Sequence, residues 1–229
     1  MDPTVITGIS SMATRQVLAE LAADYERLSG VKLVVESVGG VDAAKRVAAG
    51  EAFDLVFLAA DAIDKLMAAG HLAAGRVDLV RSPVAVAVKA GAAQPDIGSE
   101  EAVRQAVLAA RSLSYSTGPS GTHLLKLFER WGIAVQIQDK LVQAPPGVPV
   151  GSLVARGDVE LGFQQLSELM HLDGITVVGL LPSAIEFITT FSAGLGVHGR
   201  QPEAVRALLA WLTSAEAASA KRRHGMEPA

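Results

Sequence analysis

Strand-like apolar runs and amphipathic helical stretches take turns along this chain, and that alternation constrains the fold more than any other feature. "TVITGIS" reads as a short buried strand. Behind it, Val17, Leu18, Leu21, Tyr25 and Leu28 recur at helical spacing, with Gly30 placed to stop the helix. "VKLVVES" is the next strand, "VDAAKRVAAG" a short helix between Gly39-Gly40 and Gly50, and "DLVFLAA" a further β-rich run. The order continues through "SPVAVAVKAG", a helix near 100–110, "SLSYS", a helix over 122–131, "DKLVQA", a helix after Gly151, and "VELGF". This succession predicts an α/β fold of mostly parallel sheets with helices on both faces.

Towards the end, "AIEFITTFSAGLGVHG" reads as extended, and the helices "PEAVRALLAWLTS" and "AEAASAKRRHG" that follow it cannot pack alone. A crossing at "SPVAVAV" and a return along "FITTFSAGL" give two lobes joined by two strand-like crossings. One lobe is expected over 1–81 with 192–229 and the other over 82–191, facing each other across a cleft.

Half of the 229 residues are apolar, enough to bury a real core. Lys and Arg number 20 against 24 Asp and Glu, so the basic footprint that draws proteins to phosphate backbones is missing and no nucleic-acid partner is expected. The chain has no cysteine, which excludes disulfides, zinc-thiolate sites and thiol nucleophiles. Even "SPVAVAVKAGAA" is broken by Lys89 and bounded by Pro83 and Gly91, so no segment is expected to insert in a membrane. "MDPTVITGIS" carries no basic segment followed by an apolar run. A periplasmic location is therefore expected if a signal peptide has been removed, and a cytoplasmic one otherwise.

The familiar motifs of catalysis are missing or out of context. "GLGVHG" matches a dinucleotide fingerprint, but too little chain follows it to complete the βαβ unit. No phosphate-binding P-loop occurs, and "GPSGT" has its serine one place out of register for a nucleophile elbow. His71, His123, His171, His198 and His224 show no metal-ligand spacing, so neither a metal nor a cofactor is expected.

Four segments instead share one design, a loop of small donors directly before a helix. They hold Ser10 and Ser11 in "GISSMAT", Gly39 and Gly40 in "SVGGVD", Ser120, Gly121 and Thr122 in "GPSGTH", and Pro149 within "PPGVPVGS". A helix start offers unpaired N–H groups and the positive end of the macrodipole, so several such starts at the C-terminal edge of a parallel sheet suit a small anion. Taken singly, each loop is also an ordinary N-cap.

"VITGISSMATRQVLAELAADYERLSGVKLVVES", "AAKRVAAGEAFDLVFLA", "SPVAVAVKAG" and "AWLTSAEAASAKRRHG" resemble the periplasmic molybdate-binding proteins, a branch of the type II solute-binding proteins of ABC transporters. The resemblance spans nearly the whole chain. It implies the two-lobed type II periplasmic-binding-protein fold, an oxyanion held by amides and hydroxyls of the four loops, and a transporter permease as partner. "LGFQQLSEL" and "GPSGTHLLKLFERWGI" are similar to the branch related to bacterial aconitate isomerase.

Three departures from the molybdate binders shift the expected ligand. Gly39-Gly40-Val41 stands where the family has a serine-rich loop, Gln165 where it has a ligand tyrosine, and Pro149, without an N–H, near its backbone donor. Gln164 and Gln165, with Arg81 ahead of the first crossing, suit a planar carboxylate, although Arg81 is equally readable as a solvated surface residue. The expected function is a solute-binding protein closing on a small anion, an organic carboxylate rather than molybdate. The alternative is an isomerase that shifts a proton in an unsaturated polycarboxylate, with His123 as the base; otherwise His123 caps its helix or faces water.

Overall fold

The computed structural model describes residues 4–229. In chain order its elements are β1 (Val5–Ser11), α1 (Arg15–Ser29), β2 (Lys32–Val38), α2 (Gly40–Ala48), β3 (Leu55–Ala59), α3 (Ala60–Ala68) and β4 (Val77–Lys89). There follow α4 (Glu100–Ala109), β5 (Leu113–Tyr115), α5 (Pro119–Arg130), α6 (Ala134–Ile137), β6 (Leu141–Gln143), α7 (Val150–Arg156), β7 (Leu161–Gln165) and α8 (Leu166–Leu169). The last are β8 (Ile175–Leu180), β9 (Ile188–Leu195), α9 (Pro202–Leu212), α10 (Ala215–Arg223) and β10 (Glu227–Pro228). The chain divides into two compact units, Met1–Ser82 with Thr190–Ala229, and Pro83–Thr189. The divisions fall within β4 and β9.

In the first unit β2, β1 and β3 lie side by side and parallel, and β9 runs antiparallel to β3 with Ala59 opposite Phe191. β3 shows why both faces carry helices. Its residues point alternately to opposite sides. Leu55, Phe57 and Ala59 join a core with α1, α9 and α10, while Val56 and Leu58 join another with α2 and α3. α1 stops where the sequence places its stop, at Gly30, whose φ of 71° only glycine adopts freely.

At the start of β3, buried Asp54 accepts hydrogen bonds from the Thr7 amide (2.8 Å), the Thr7 hydroxyl (2.9 Å) and the Arg200 amide (2.7 Å). The glycines of "GLGVHG" serve this join. A Cβ on Gly196 would stand 1.8 Å from the Phe53 carbonyl oxygen, and one on Gly194 would stand 2.6 Å from Leu72. The motif is a packing device, in keeping with its lack of a nucleotide-binding context.

In the second unit β5 pairs in parallel with β6 and β7, and β4 runs antiparallel to β7 and β8. The run "VAVAV" sends Val84, Val86 and Val88 into a core with α4 and α5, and the small Ala85 and Ala87 into the opposite one with Leu169. Helix α7 sits so close to β7 that a Cβ on Gly162 would fall 2.6 Å from Val154.

The structure adds helices α3, α6 and α8 to the sequence reading, and two further details differ. Helix α5 begins at Pro119 rather than near Thr122, because proline fits the first helical position, where no N–H is needed. "ITVVGL" forms β8, an additional edge strand, and buries only part of each residue except Leu180, which is exposed.

Candidate functional site

In the first unit β1, β2 and β3 are parallel, so their C-terminal ends share one edge: Ser11, Val38 and Ala59. Ser11 leads through a single 3-10 turn into α1, Gly39 leads into α2, and Ala59 into α3. Neither α2 nor α3 has a side chain bonded to its first amides. Ser10 and Ser11, neighbours in sequence, serve different ends. Ser10 is fully buried and its hydroxyl is engaged with the Ser37 hydroxyl at 2.7 Å and the Ser11 carbonyl at 3.2 Å. Ser11 is 7 % exposed and its Oγ has no hydrogen-bond partner. It lies beside Gly40, where a Cβ would come within 3.4 Å of the Ser11 Cβ. A buried hydroxyl with no partner costs about 1–3 kcal/mol, so the Ser11 Oγ is a group that an incoming acceptor would stabilise. Arg81 belongs to this unit as an exposed residue of β4, opposite Glu227 of β10.

The second unit presents a matching edge, where β5, β6 and β7 end together. After β5 the Ser116 hydroxyl takes the Gly118 amide at 3.3 Å and pairs with the hydroxyl of buried Ser120 at 3.0 Å. No side chain caps α5. A Cβ on Gly121 would stand 1.8 Å from the Ser116 carbonyl oxygen, so only glycine lets the first turn of α5 settle on this loop. Thr122 is exposed, and its hydroxyl donates back to the Gly118 carbonyl at 3.4 Å.

His123 lies on the Phe187 ring, centroids 4.1 Å apart and planes 13° from parallel. Its Nε2 is buried without a hydrogen-bond partner. Burial, followed by the charges of Arg130 and Lys126, holds the imidazole below its usual titration range, so it is neutral at neutral pH.

Gln164 and Gln165 go separate ways, as successive strand residues must. Gln164, 2 % exposed, accepts from the Val150 amide at 2.9 Å and donates to Glu168 at 2.8 Å. It thereby takes the first amide of α7 behind Pro149, the residue that flanks that helix start. Gln165 donates to Thr189 Oγ1 at 2.7 Å. Within each unit, then, Ser11 and Gly40 come together, as do Ser116, Ser120 and Gly121, while Ser10 and Gln164 are held by internal partners. The sequence reading gives no role to Ser37, Phe187 or Thr189. For Ser116 a signal existed, since it opens the hydroxyl-rich "STGPSGT".

Among the described residues no group of three or more His, Asp or Glu side chains is arranged to hold a metal ion, and no helix is long and apolar enough to cross a membrane. The profile of the bacterial extracellular solute-binding proteins matches residues 6–227. The chain belongs to that family. An aconitate isomerase from a Pseudomonas species is 40% identical over 232 residues, covering 98% of this chain and 88% of that protein. Among solved structures, the Azotobacter vinelandii periplasmic molybdate-binding protein superposes with a TM-score of 0.80 at 18% identity, over 96% of this chain and 98% of its own. The sulfate-binding protein of Mycobacterium tuberculosis H37Rv does so with 0.77 at 15% identity, over 98% and 87%. At such identities the likeness is one of fold, the mixed α/β type II periplasmic-binding-protein fold.

Proposed function

We propose that this solute-binding protein takes a small organic carboxylate rather than molybdate, as the periplasmic component that delivers it to a transporter permease. The observation that carries the reading is the unpartnered, buried Ser11 hydroxyl beside the side-chain-uncapped start of α2. Neutral donors of this kind bind a carboxylate or an oxyanion without a lysine. Support for a carboxylate comes from the donors that are missing. Gly39-Gly40-Val41 offers no hydroxyl, and Gln164 already holds the first amide of α7. Within the first unit the candidate donors are Ser11 and Gly40, and within the second, taken by itself, they are Ser116, Ser120 and Gln165. A thermal-shift screen against molybdate, tungstate, sulfate, citrate, both aconitates and tricarballylate tests it, because a ligand specific for the native state raises the melting temperature by mass action. Stabilisation by molybdate or tungstate, with none by the carboxylates, would sink the assignment.

A second reading is favoured by the relative of 40% identity, which acts on aconitate, and by neutral His123 with its unpartnered Nε2. As an isomerase, the protein would take a proton from the methylene next to a carboxylate. The C=C bond would migrate, and a proton would return at the former vinyl carbon. His123 would carry the proton, while the loop donors stabilise the dienolate charge between the two transfers. Proton NMR of trans-aconitate in deuterated buffer reads this directly as cis-aconitate and exchanged methylene. Turnover that survives His123→Gln would place the base elsewhere.

A further inference from the structure

Lys221, in the last turn of α10, is 2 % exposed. Its ammonium nitrogen donates to the Leu79 carbonyl at 2.9 Å, which occupies one of three possible donors. Beside it lies a cavity of about 10 Å³, room for about one water, lined among others by Thr14, Phe191, Ser192 and Lys221. The Thr14 hydroxyl donates to the Ser11 carbonyl at 3.2 Å, so Thr14 touches both the lysine's cavity and the turn that carries the unpartnered hydroxyl.

Three carboxylates on the elements packed around Lys221 are engaged elsewhere. Asp78 of β4 takes the Ser192 hydroxyl at 2.7 Å and Arg76 at 2.8 Å. Glu20 of α1 takes Arg223 and His224, and Glu227 of β10 takes Arg222 at 3.2 Å. Burial pushes the Lys221 amine below its usual range, and among the described residues it has no ion-pair partner; the Leu79 carbonyl also accepts the Ala229 amide at 3.3 Å.

Resting on the anion-binding reading above, we propose that Lys221 is a proton-linked charge behind the Ser11 turn, taking up a proton from solvent as the anion binds. A buried ammonium without a counter-charge is costly, and an anion at Ser11 supplies the charge that this lysine lacks. Protonation and binding then favour each other by the same factor. Lys221 touches no ligand; it positions and strengthens the site through its field.

The test is calorimetric titration with citrate, cis-aconitate, trans-aconitate and molybdate, in buffers of differing ionisation enthalpy across about pH 6 to 10. Wild type is expected to take up a fraction of a proton per ligand beyond any uptake by Lys221→Met. Its affinity should exceed the variant's by several-fold to about tenfold at the acid end, and the two curves should converge at the alkaline end. Nitrogen-15 lysine NMR of the wild type provides a check should the variant fold poorly, since the Lys221 amine signal must move towards the ammonium position when ligand is added. Binding without lysine-dependent uptake, or an unmoved signal, overturns this inference alone. No binding of any of the four overturns the anion reading and this inference together.

Discussion

The carbonyl oxygen of Ser116 lies 1.8 Å from the point that a Cβ on Gly121 would occupy, and its carbonyl carbon 2.9 Å away. Both neighbours are backbone atoms and cannot swing aside. Gly121→Ala is expected to cost about 1–3 kcal/mol or more in thermal unfolding, the range of overpacked cores. It should also weaken anion binding, because the first turn of α5 must shift. An unchanged melting temperature would show that the loop yields.

Ser11→Ala and Ser10→Ala should fail in opposite ways. Removing the unpartnered Ser11 hydroxyl should leave stability level or slightly raised, while anion affinity drops by about 1.5–3 kcal/mol, one to two decades. Removing the Ser10 hydroxyl breaks its link to Ser37 and should cost about 1 kcal/mol of stability with little effect on binding. Paired denaturation and titration of the two variants decide it.

Burial pushes the Asp54 carboxyl up, but the Thr7 amide, the Arg200 amide and the Thr7 hydroxyl outweigh it and hold the group below the usual carboxylate range. The unfolded chain therefore binds the proton first. Stability from this group is complete above about pH 4 and is lost as pH falls through the lower folded value. Asp54→Asn should cost about 1.5–3 kcal/mol at neutral pH and flatten the acid limb of the stability profile. Urea midpoints at several pH values measure both.

For His123 the depressed titration, caused first by burial and then by Arg130 and Lys126, gives the same sign in another window. Below about pH 6.5 the unfolded chain takes the proton before the folded one, so stability declines as pH falls there. His123→Gln should remove that part of the slope. A profile identical to wild type between about pH 5 and 7 would mean that the ring is free to leave Phe187 and reach water.

The alternating elements were legible because strand and helix periods are local, and β3 and β4 carry theirs plainly. Ser10 and Ser11 could not be told apart in sequence: which of two adjacent strand residues faces the core depends on partners far along the chain, here Ser37 and Gly40. Gln164 and Gln165 read as a pair for the same reason, yet they bond to Val150 and Thr189 on separate elements. Lys221 stands in "AKRRHG", which has the look of a solvated basic tail, and only the packing of α10 reveals one buried charge among exposed ones. "ITVVGL" escaped notice because an edge strand needs little apolar contrast.

The valine and alanine alternation over Val84–Val88 bears on how such a chain can change over generations. Exchanges among β-branched residues on one side, or among small ones on the other, leave the spacing of the layers intact. An insertion or deletion of a single residue inverts the pattern and drives valines into the space that Ala85 and Ala87 leave beside Leu169. Related chains should therefore vary freely in the letters of this strand and hardly at all in its length, keeping their gains and losses for the turns at either end.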